Sequence, residues 1–287
     1  MNELVVISGK GGTGKTTLTG CFAALAGGDA VLVDADVDAA NLSLITKPQQ
    51  LESYEFRSSK KVIIDTQKCS ACGLCLQLCR FKAILESYCT DPLSCEGCGV
   101  CSRACPERAI AMQEVVSGHW FVSQTSYGKL VHARLGVAEQ NSGKMVTAIR
   151  EKAKIIAAEE KKRYLIIDGP PGIGCPVIAS LGGVDAALVI TEPTLSGIHD
   201  LERVISVCRH FQIPAAVCIN RFDLYEENTR AIEKYCQQES IELAAKIPFD
   251  RAFVEATAQG VPVVEYTDGP VYKSIKQLWE KITVMLN

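Results

Sequence analysis

Eight of the fourteen cysteines fall into two copies of one spacing within thirty-seven residues. The first copy is Cys69, Cys72, Cys75 and Cys79, and the second is Cys95, Cys98, Cys101 and Cys105. Each reads C-x2-C-x2-C-x3-C, and the second runs on into Pro106. Three thiolates at this step wrap one face of a metal cluster, and a fourth must arrive from elsewhere. That is the spacing of a four-iron cubane. Zinc also uses C-x2-C pairs, but it joins two pairs across a longer loop, so a third cysteine at the same step argues against it. A second constellation lies at the amino-terminal end: Gly9-Lys10-Gly11-Gly12-Thr13-Gly14-Lys15-Thr16-Thr17. It satisfies G-x4-G-K-[ST], in which successive backbone N–H groups face phosphates. Lys15 would reach their terminal oxygens, and the Thr16 hydroxyl would ligate Mg²⁺.

The elements around these residues follow a rhythm. Leu4–Ser8 reads as a buried strand entering the glycine loop, Lys15–Ala26 as the helix that leaves it, and Ala30–Asp34 as a second buried strand. Apolar runs recur at Tyr164–Asp168, Ala186–Thr191, Ala215–Asn220 and Leu243–Ile247. Helical patterns lie between or after them at Gly143–Lys161, Gly197–Phe211, Glu226–Gln238 and Pro270–Met285. Strand alternating with helix predicts an α/β fold, a mostly parallel sheet covered on both faces, with ligands beyond the carboxyl ends of the strands. The rhythm breaks between about Lys60 and Glu114, where the short apolar segments Val62–Asp65 and Ala109–Gln113 bracket the cysteines. We therefore expect a discontinuous nucleotide-binding domain (1–58 and 116–287) and a small inserted α+β domain (59–115). Trp120–Val122 and Lys129–His132 predict a hairpin on the way back.

Composition narrows the function classes. With 287 residues, 47% of them hydrophobic and 22% charged, the chain has material for a sizeable core. A formal charge of −3 lacks the basic bias of a dedicated nucleic-acid binder. No apolar stretch reaches membrane-spanning length, and the amino terminus carries no leader pattern. The expectation is a cytoplasmic protein without nucleic-acid or membrane partners, its cysteines serving metal rather than disulfides.

The cysteine repeat resembles two-cluster bacterial ferredoxins, in which the fourth cysteine of each run ligates the other cluster. That resemblance implies one [4Fe–4S] site at Cys69, Cys72, Cys75 and Cys105, and another at Cys79, Cys95, Cys98 and Cys101. One departure is Arg80, where proline usually follows the fourth cysteine; it would place a cation near one cluster and make the two unequal. From Lys61 to Met112 six basic residues face five acidic ones, unlike the acidic surface of many free ferredoxins.

The glycine loop, with Lys10 directly ahead of Gly-Gly-Thr-Gly-Lys-Thr, resembles the deviant phosphate loop of the MinD/ParA/Mrp and nitrogenase iron protein ATPases. The resemblance implies a homodimer that sandwiches ATP, with Lys10 crossing to the partner's nucleotide as an arginine finger would. It further implies that Asp36 orients the attacking water and joins Thr16 and Asp168 around Mg²⁺. Asp168-Gly169-Pro170-Pro171-Gly172 matches the second switch, with Gly172 near the γ-phosphate. Asn220 and Arg221 would read the adenine, and Pro248 would close over it. Gly11, Gly12, Thr13, Gly14 and Thr17 complete the nucleotide contacts. Such chains resemble MinD-superfamily ATPases carrying an inserted two-cluster ferredoxin domain.

The chain also departs from its relatives. The basic amphipathic tail that takes MinD to membranes is missing; Ile275, Leu278, Trp279, Ile282, Met285 and Leu286 read as core. The paired C-x2-C near the carboxyl terminus of many Mrp-type carriers is missing too. Cys175 lies seven residues after Asp168, where nitrogenase iron protein relatives carry a ligand of a subunit-bridging cluster; their second ligand falls near Gln140 here. A buried apolar cysteine is the reading preferred for Cys175, and packing is likewise expected of Cys89, Cys21, Cys208, Cys218 and Cys236. The histidines support no catalytic assignment. Three functions remain open: an ATP-gated electron carrier working with a redox protein, a Mrp-type cluster assembly factor serving an acceptor protein, and a redox-sensing regulatory ATPase. The first is preferred, because eight cysteines ligate both clusters fully.

Overall fold

The computed structural model describes residues 1–136 and 142–287. In chain order the strands are β1 (Asn2–Ser8), β2 (Ala30–Asp34), β3 (Gln49–Ile64), β4 (Ile110–Thr125), β5 (Gly128–Leu135), β6 (Tyr164–Pro171), β7 (Ala186–Thr191), β8 (Ala215–Asn220) and β9 (Glu242–Ile247). The helices are α1 (Lys15–Leu25), α2 (Leu42–Thr46), α3 (Leu74–Leu78), α4 (Val100–Ala104), α5 (Ser142–Glu159), α6 (Cys175–Leu181) and α7 (Leu195–His210), followed by α8 (Glu226–Gln238), α9 (Ala252–Gln259), α10 (Val263–Tyr266) and α11 (Pro270–Met285). The strands form one sheet in the order β3-β4-β5-β2-β6-β1-β7-β8-β9. Every pair from β5 to β9 in that order is parallel. This is the mostly parallel α/β architecture expected from the alternation of strand and helix.

The chain divides into two compact units. The first comprises 1–53, 120–134 and 142–287. Its central strands read as unbroken apolar runs because helices cover both faces: Leu4, Val5, Val6 and Ile7 of β1 are all fully buried. The α11 side chains Ile275, Leu278 and Ile282 are buried as well, and Trp279 stacks on Phe22 at 5.3 Å between ring centroids. That packing accounts for the apolar stripe of the tail. Arg150 on α5 is buried, donating to Glu3 at 2.9 Å and to the carbonyls of Ala179 and Gly182, so its charge is paired and hydrogen-bonded as burial requires. Among the described residues no helix is long and apolar enough to cross a membrane.

The second unit comprises, among the described residues, 54–119 and 135–136. Where the sequence suggested two short apolar segments, the structure has two sixteen-residue strands, β3 and β4. The Asp65 amide donates to the Ala109 carbonyl, and the Ser58 and Ser59 amides donate to Ser117 Oγ, so these strands run in opposite directions. Their length was hidden because most of β3 from Gln49 onward is exposed and polar, with no alternation to read. The core of this unit is small, consisting of Val62, Ala83, Ile84 and Ile110 with Cys75, Cys95 and Cys101. So small an apolar core calls for a covalent or metal staple.

Candidate functional site

The phosphate loop connects β1 to α1. Gly12 and Gly14 take left-handed backbone at φ 79° and 96°. A Cβ on Gly14 would lie 2.5 Å from Asn220 Nδ2, so glycine is required there sterically as well. Asn220 ends β8 and donates from that nitrogen to the Thr13 carbonyl at 2.8 Å. Its amide thus braces the loop from beneath. Pro248 follows Ile247, the residue registered opposite Asn220 across β8 and β9.

A cleft of about 730 Å³ opens over the loop, lined among others by Gly11, Gly12, Gly14, Lys15, Thr16, Thr17, Asp36 and Arg221. Lys15 is buried, and burial lowers its pKa against the opposing pull of Asp168, Asp36 and Asp34. Burial pushes the fully buried Asp168 up to about 6, while hydrogen bonds from Thr16 and Thr19 work the other way. The second oxygen of Asp168, Oδ2, is buried with no hydrogen-bond partner, as is Thr13 Oγ1. An orphaned carboxylate oxygen beside a buried ammonium and a glycine cradle fits a Mg²⁺-nucleotide: phosphates would add negative charge that offsets the burial of Lys15, and the ion's shell would take the vacant lone pairs. Asp36 is likewise raised, first by burial. Gly172, at φ 92°, donates its amide to the Ser8 carbonyl, which ties the second switch to the end of β1.

Two features around the phosphate loop were not read from sequence. Asp34 is buried and accepts from the amides of Asp36 and Leu42, so it shapes the loop between β2 and α2. Burial first, and then Asp168, raise its pKa. Lys10 is held by its own subunit, donating to Thr194 Oγ1 at 2.9 Å and to Ser196 Oγ at 3.5 Å, with Glu192 at 3.4 Å. Glu192 also pairs with Arg221. Thr194 is the N-cap of α7, accepting from the Gly197 amide. The Thr-x-x-Gly pattern after β7 was a visible cap signal, but nothing in it pointed to Lys10.

In the second unit the two cysteine motifs are copies in backbone as well as in spacing. A shift of 26 residues carries Cys69 onto Cys95 and Cys79 onto Cys105. The same shift carries α3 onto α4, and the left-handed positions Ala71, Gly73 and Lys82 onto Gly97, Gly99 and Arg108. The Ala83 amide donates to Cys79 Sγ and the Ala109 amide to Cys105 Sγ, both at 3.3 Å. Cys69, Cys72, Cys75 and Cys105 line one cavity together with Tyr88. Burial raises the Cys75 thiol, with Cys69 and Cys72 adding to the rise, and the Cys101 thiol is raised in the same way with Cys95 and Cys98. Cys79 and Cys105 pack against the shared core.

Among the described residues no three His, Cys, Asp or Glu side chains are placed to hold a single metal ion. A single zinc would need its sulfurs about 2.3 Å from one point. A cubane presents four iron corners to four thiolates, and the donor types around the small cavity of about 20 Å³, four cysteines with an amide donating to Cys105 Sγ, match that chemistry.

Two cysteine readings are corrected. Cys175 is exposed rather than buried, because it opens α6 ahead of Pro176. Cys89 is exposed too, in the turn where its carbonyl accepts from the Leu85 amide. Cys21, Cys208, Cys218 and Cys236 are buried as expected, with thiols pushed up to about 12, 11, 12 and 11. Gln140 lies outside the described residues.

Comparison with known proteins follows the geometry. Residues 4–263 match the family model of the CobQ/CobB/MinD/ParA nucleotide binding domain. An uncharacterized protein of Methanocaldococcus jannaschii is 33% identical over 98% of this chain and 96% of its own length. The iron–sulfur cluster carrier protein of Pyrococcus horikoshii is 29% identical, over 42% of this chain and 44% of its own. The solved structure of the septum site-determining protein MinD complexed with Mg-ADP, also from Pyrococcus horikoshii, superposes with a TM-score of 0.62 at 20% identity, covering 98% of this chain and 95% of that one. The chain belongs to the CobQ/CobB/MinD/ParA nucleotide-binding family and is a MinD/ParA-type ATPase.

Proposed function

We propose that this ATPase is a dimeric switch that couples its nucleotide state to electron transfer through two [4Fe–4S] clusters. Residues 59–115 form the inserted ferredoxin-like domain in this reading, and the flanking segments form the ATPase domain. The observation that carries it is the backbone repeat around the cysteines. Two equivalent loops each give their fourth sulfur an amide hydrogen bond, and the first triad shares a cavity with Cys105 of the second motif. The crossed ligand sets are then Cys69, Cys72, Cys75 and Cys105, and Cys95, Cys98, Cys101 and Cys79. When bound, clusters of this class supply reversible one-electron chemistry.

The chain's own residues perform the nucleotide half. Backbone amides from Gly11 to Thr16 cradle the phosphates, Lys15 neutralises them, Thr16 and Asp168 with Asp36 serve the Mg²⁺ shell, and Asp36 orients water. Lys10 leaves Thr194 and Ser196 when two subunits close over ATP. Connectivity supports the coupling: β3 starts three residues after α2, which follows the Asp36 loop, and ends five residues before Cys69.

A second reading, cluster assembly or transfer, is favoured by a specific finding. Relatives from three Pyrococcus species are named iron–sulfur cluster carriers, and their matches span less than half of this chain. Exposed Cys175 is the residue that could accept a cluster transiently in that reading. A redox-sensing ATPase is a variant of the same architecture. The deciding experiment mixes the anaerobically reconstituted protein with an apo-acceptor protein and ATP. The electron-carrier reading expects the iron to stay with this protein while electrons pass to an oxidised acceptor; ATP-dependent loss of cubane signal would establish transfer instead.

A further inference from the structure

The two cysteine motifs share a backbone and differ in electrostatics. In the first, the Ala71 carbonyl accepts from the neutral Tyr88 phenol at 2.7 Å. Tyr88 lines the cavity with Cys69, Cys72, Cys75 and Cys105, and the charged side chain on that wall is Glu107. In the second, the Cys95 carbonyl accepts from the Lys61 ammonium at 2.9 Å. Lys61 is only 9% exposed. The strand that carries it is pressed onto the motif, since a Cβ on Gly97 would lie 1.9 Å from the Lys60 carbonyl oxygen. The cation is therefore positioned by backbone contact as well as by its own hydrogen bond. The residue 26 positions on from Lys61 is Ser87, so the first motif has no copy of it. Arg80, directly after Cys79, adds an exposed positive charge to the same crossed set.

We propose that Lys61 is a positioning residue that orders the two redox centres, making the cluster at Cys79, Cys95, Cys98 and Cys101 the higher in potential. This rests on the two-cluster reading above. Reduction adds one electron, taken from a low-potential one-electron donor, and lowers the cluster charge by one unit; no bond forms or breaks. A buried cation beside a ligand backbone stabilises the more negative state, and local charge and hydrogen bonding are recognised determinants of cluster potential. Two carboxylates oppose it: Asp91, partly exposed and already accepting from Ser94 Oγ and the Leu93 amide, and Glu96, exposed and directly after Cys95, so solvent screens both more than it screens the buried ammonium. An electron entering the pair then rests on the Lys61 side, and the Cys69 side is the more reducing exit or entry point.

The test is a dithionite redox titration, followed by electron paramagnetic resonance, on full-length protein reconstituted with iron and sulfide. Cys72→Ser and Cys98→Ser backgrounds isolate each centre. Lys61→Met should lower the potential of the centre left in Cys72→Ser by at least tenfold in the reduced-to-oxidised ratio, about 59 mV for one electron. It should leave the centre in Cys98→Ser unmoved. Lys61→Gln keeps a donor for the Cys95 carbonyl without the charge and should shift as Met does, whereas Lys61→Arg should restore the potential. Equal shifts in both backgrounds, no shift in Cys72→Ser, or rescue by Gln would overturn the assignment. Wild-type protein that takes up no cluster iron would instead overturn the two-cluster reading, and this inference with it.

Discussion

At the scale of single residues, Lys10 and Cys105 carry the sharpest expectations. The Lys10 ammonium is held by three side chains of its own subunit, Thr194, Ser196 and Glu192. An exchange of these contacts for a partner's phosphate is affordable because each is only partly buried and modest in strength. Lys10→Ala should therefore keep nucleotide affinity within a few fold and lose ATP-dependent dimerisation and hydrolysis. A loss of about 10³-fold in turnover is the scale of an arginine-finger removal; turnover at the wild-type rate would refute the in-trans role. Cys105 lines a cavity with three cysteines that precede it by about thirty residues or more. Cys105→Ser should damage the centre held mainly by the first motif and lower cluster iron by up to half, since Cys79, Cys95, Cys98 and Cys101 still supply four thiolates to the other centre. Loss of the Cys95, Cys98 and Cys101 centre instead would show that the ligands are not crossed. These residues were legible in sequence because their chemistry demands fixed spacings. The anchors of Lys10 were not, since they lie about 184 residues away and ordinary capping chemistry explains their types.

Elements show where sequence reading succeeded and where it failed. β2, β7, β8, α8 and α11 were legible to the residue because two-sided burial writes an apolar run and one-sided burial a helical stripe. The long strands β3 and β4 were not, because β3 is exposed over most of its length and β4 is buried only in patches, such as Ile110, Ser117 with Gly118, and Val122 with Ser123. A backbone difference between the motifs was equally hidden. Ala71 and Gly97 occupy equivalent left-handed positions, yet only Gly97 meets a carbonyl where a Cβ would be. Gly97→Ala should destabilise the second unit by about 2–4 kcal/mol, combining left-handed strain with overpacking. Ala71→Gly should range from neutral to about 1 kcal/mol stabilising, because relief of the left-handed strain is offset by glycine's entropy. Thermal unfolding of the reconstituted full-length variants checks both. A Gly97→Ala protein as stable as wild type would mean that Lys60 does not bear on the motif as described.

For the whole molecule, the central claim is that one chain joins an ATP-driven switch to two redox centres. The family match shows the MinD/ParA-type nucleotide-binding domain on which the first half is built. The second half rests on the repeated cysteine geometry, and the link between them on β3, whose sixteen residues follow the Asp36 loop and α2 and lead to Cys69. A switch with an output must change that output when its ligand changes, by the differential affinity of the two states. If ATP closes a dimer and hydrolysis opens it, the clusters' potentials in the two states must differ, and reciprocally their redox state must alter ATP binding. The most direct measurement is a redox titration of both clusters in anaerobically reconstituted protein, without nucleotide, with Mg-ATP in the Lys10→Ala or wild-type protein, and with Mg-ADP. The account predicts that Mg-ATP shifts at least one midpoint potential in wild type, that Mg-ADP and Lys10→Ala with Mg-ATP leave it near the nucleotide-free value, and that both clusters are retained throughout. Two full clusters whose potentials are identical in every nucleotide state would contradict it.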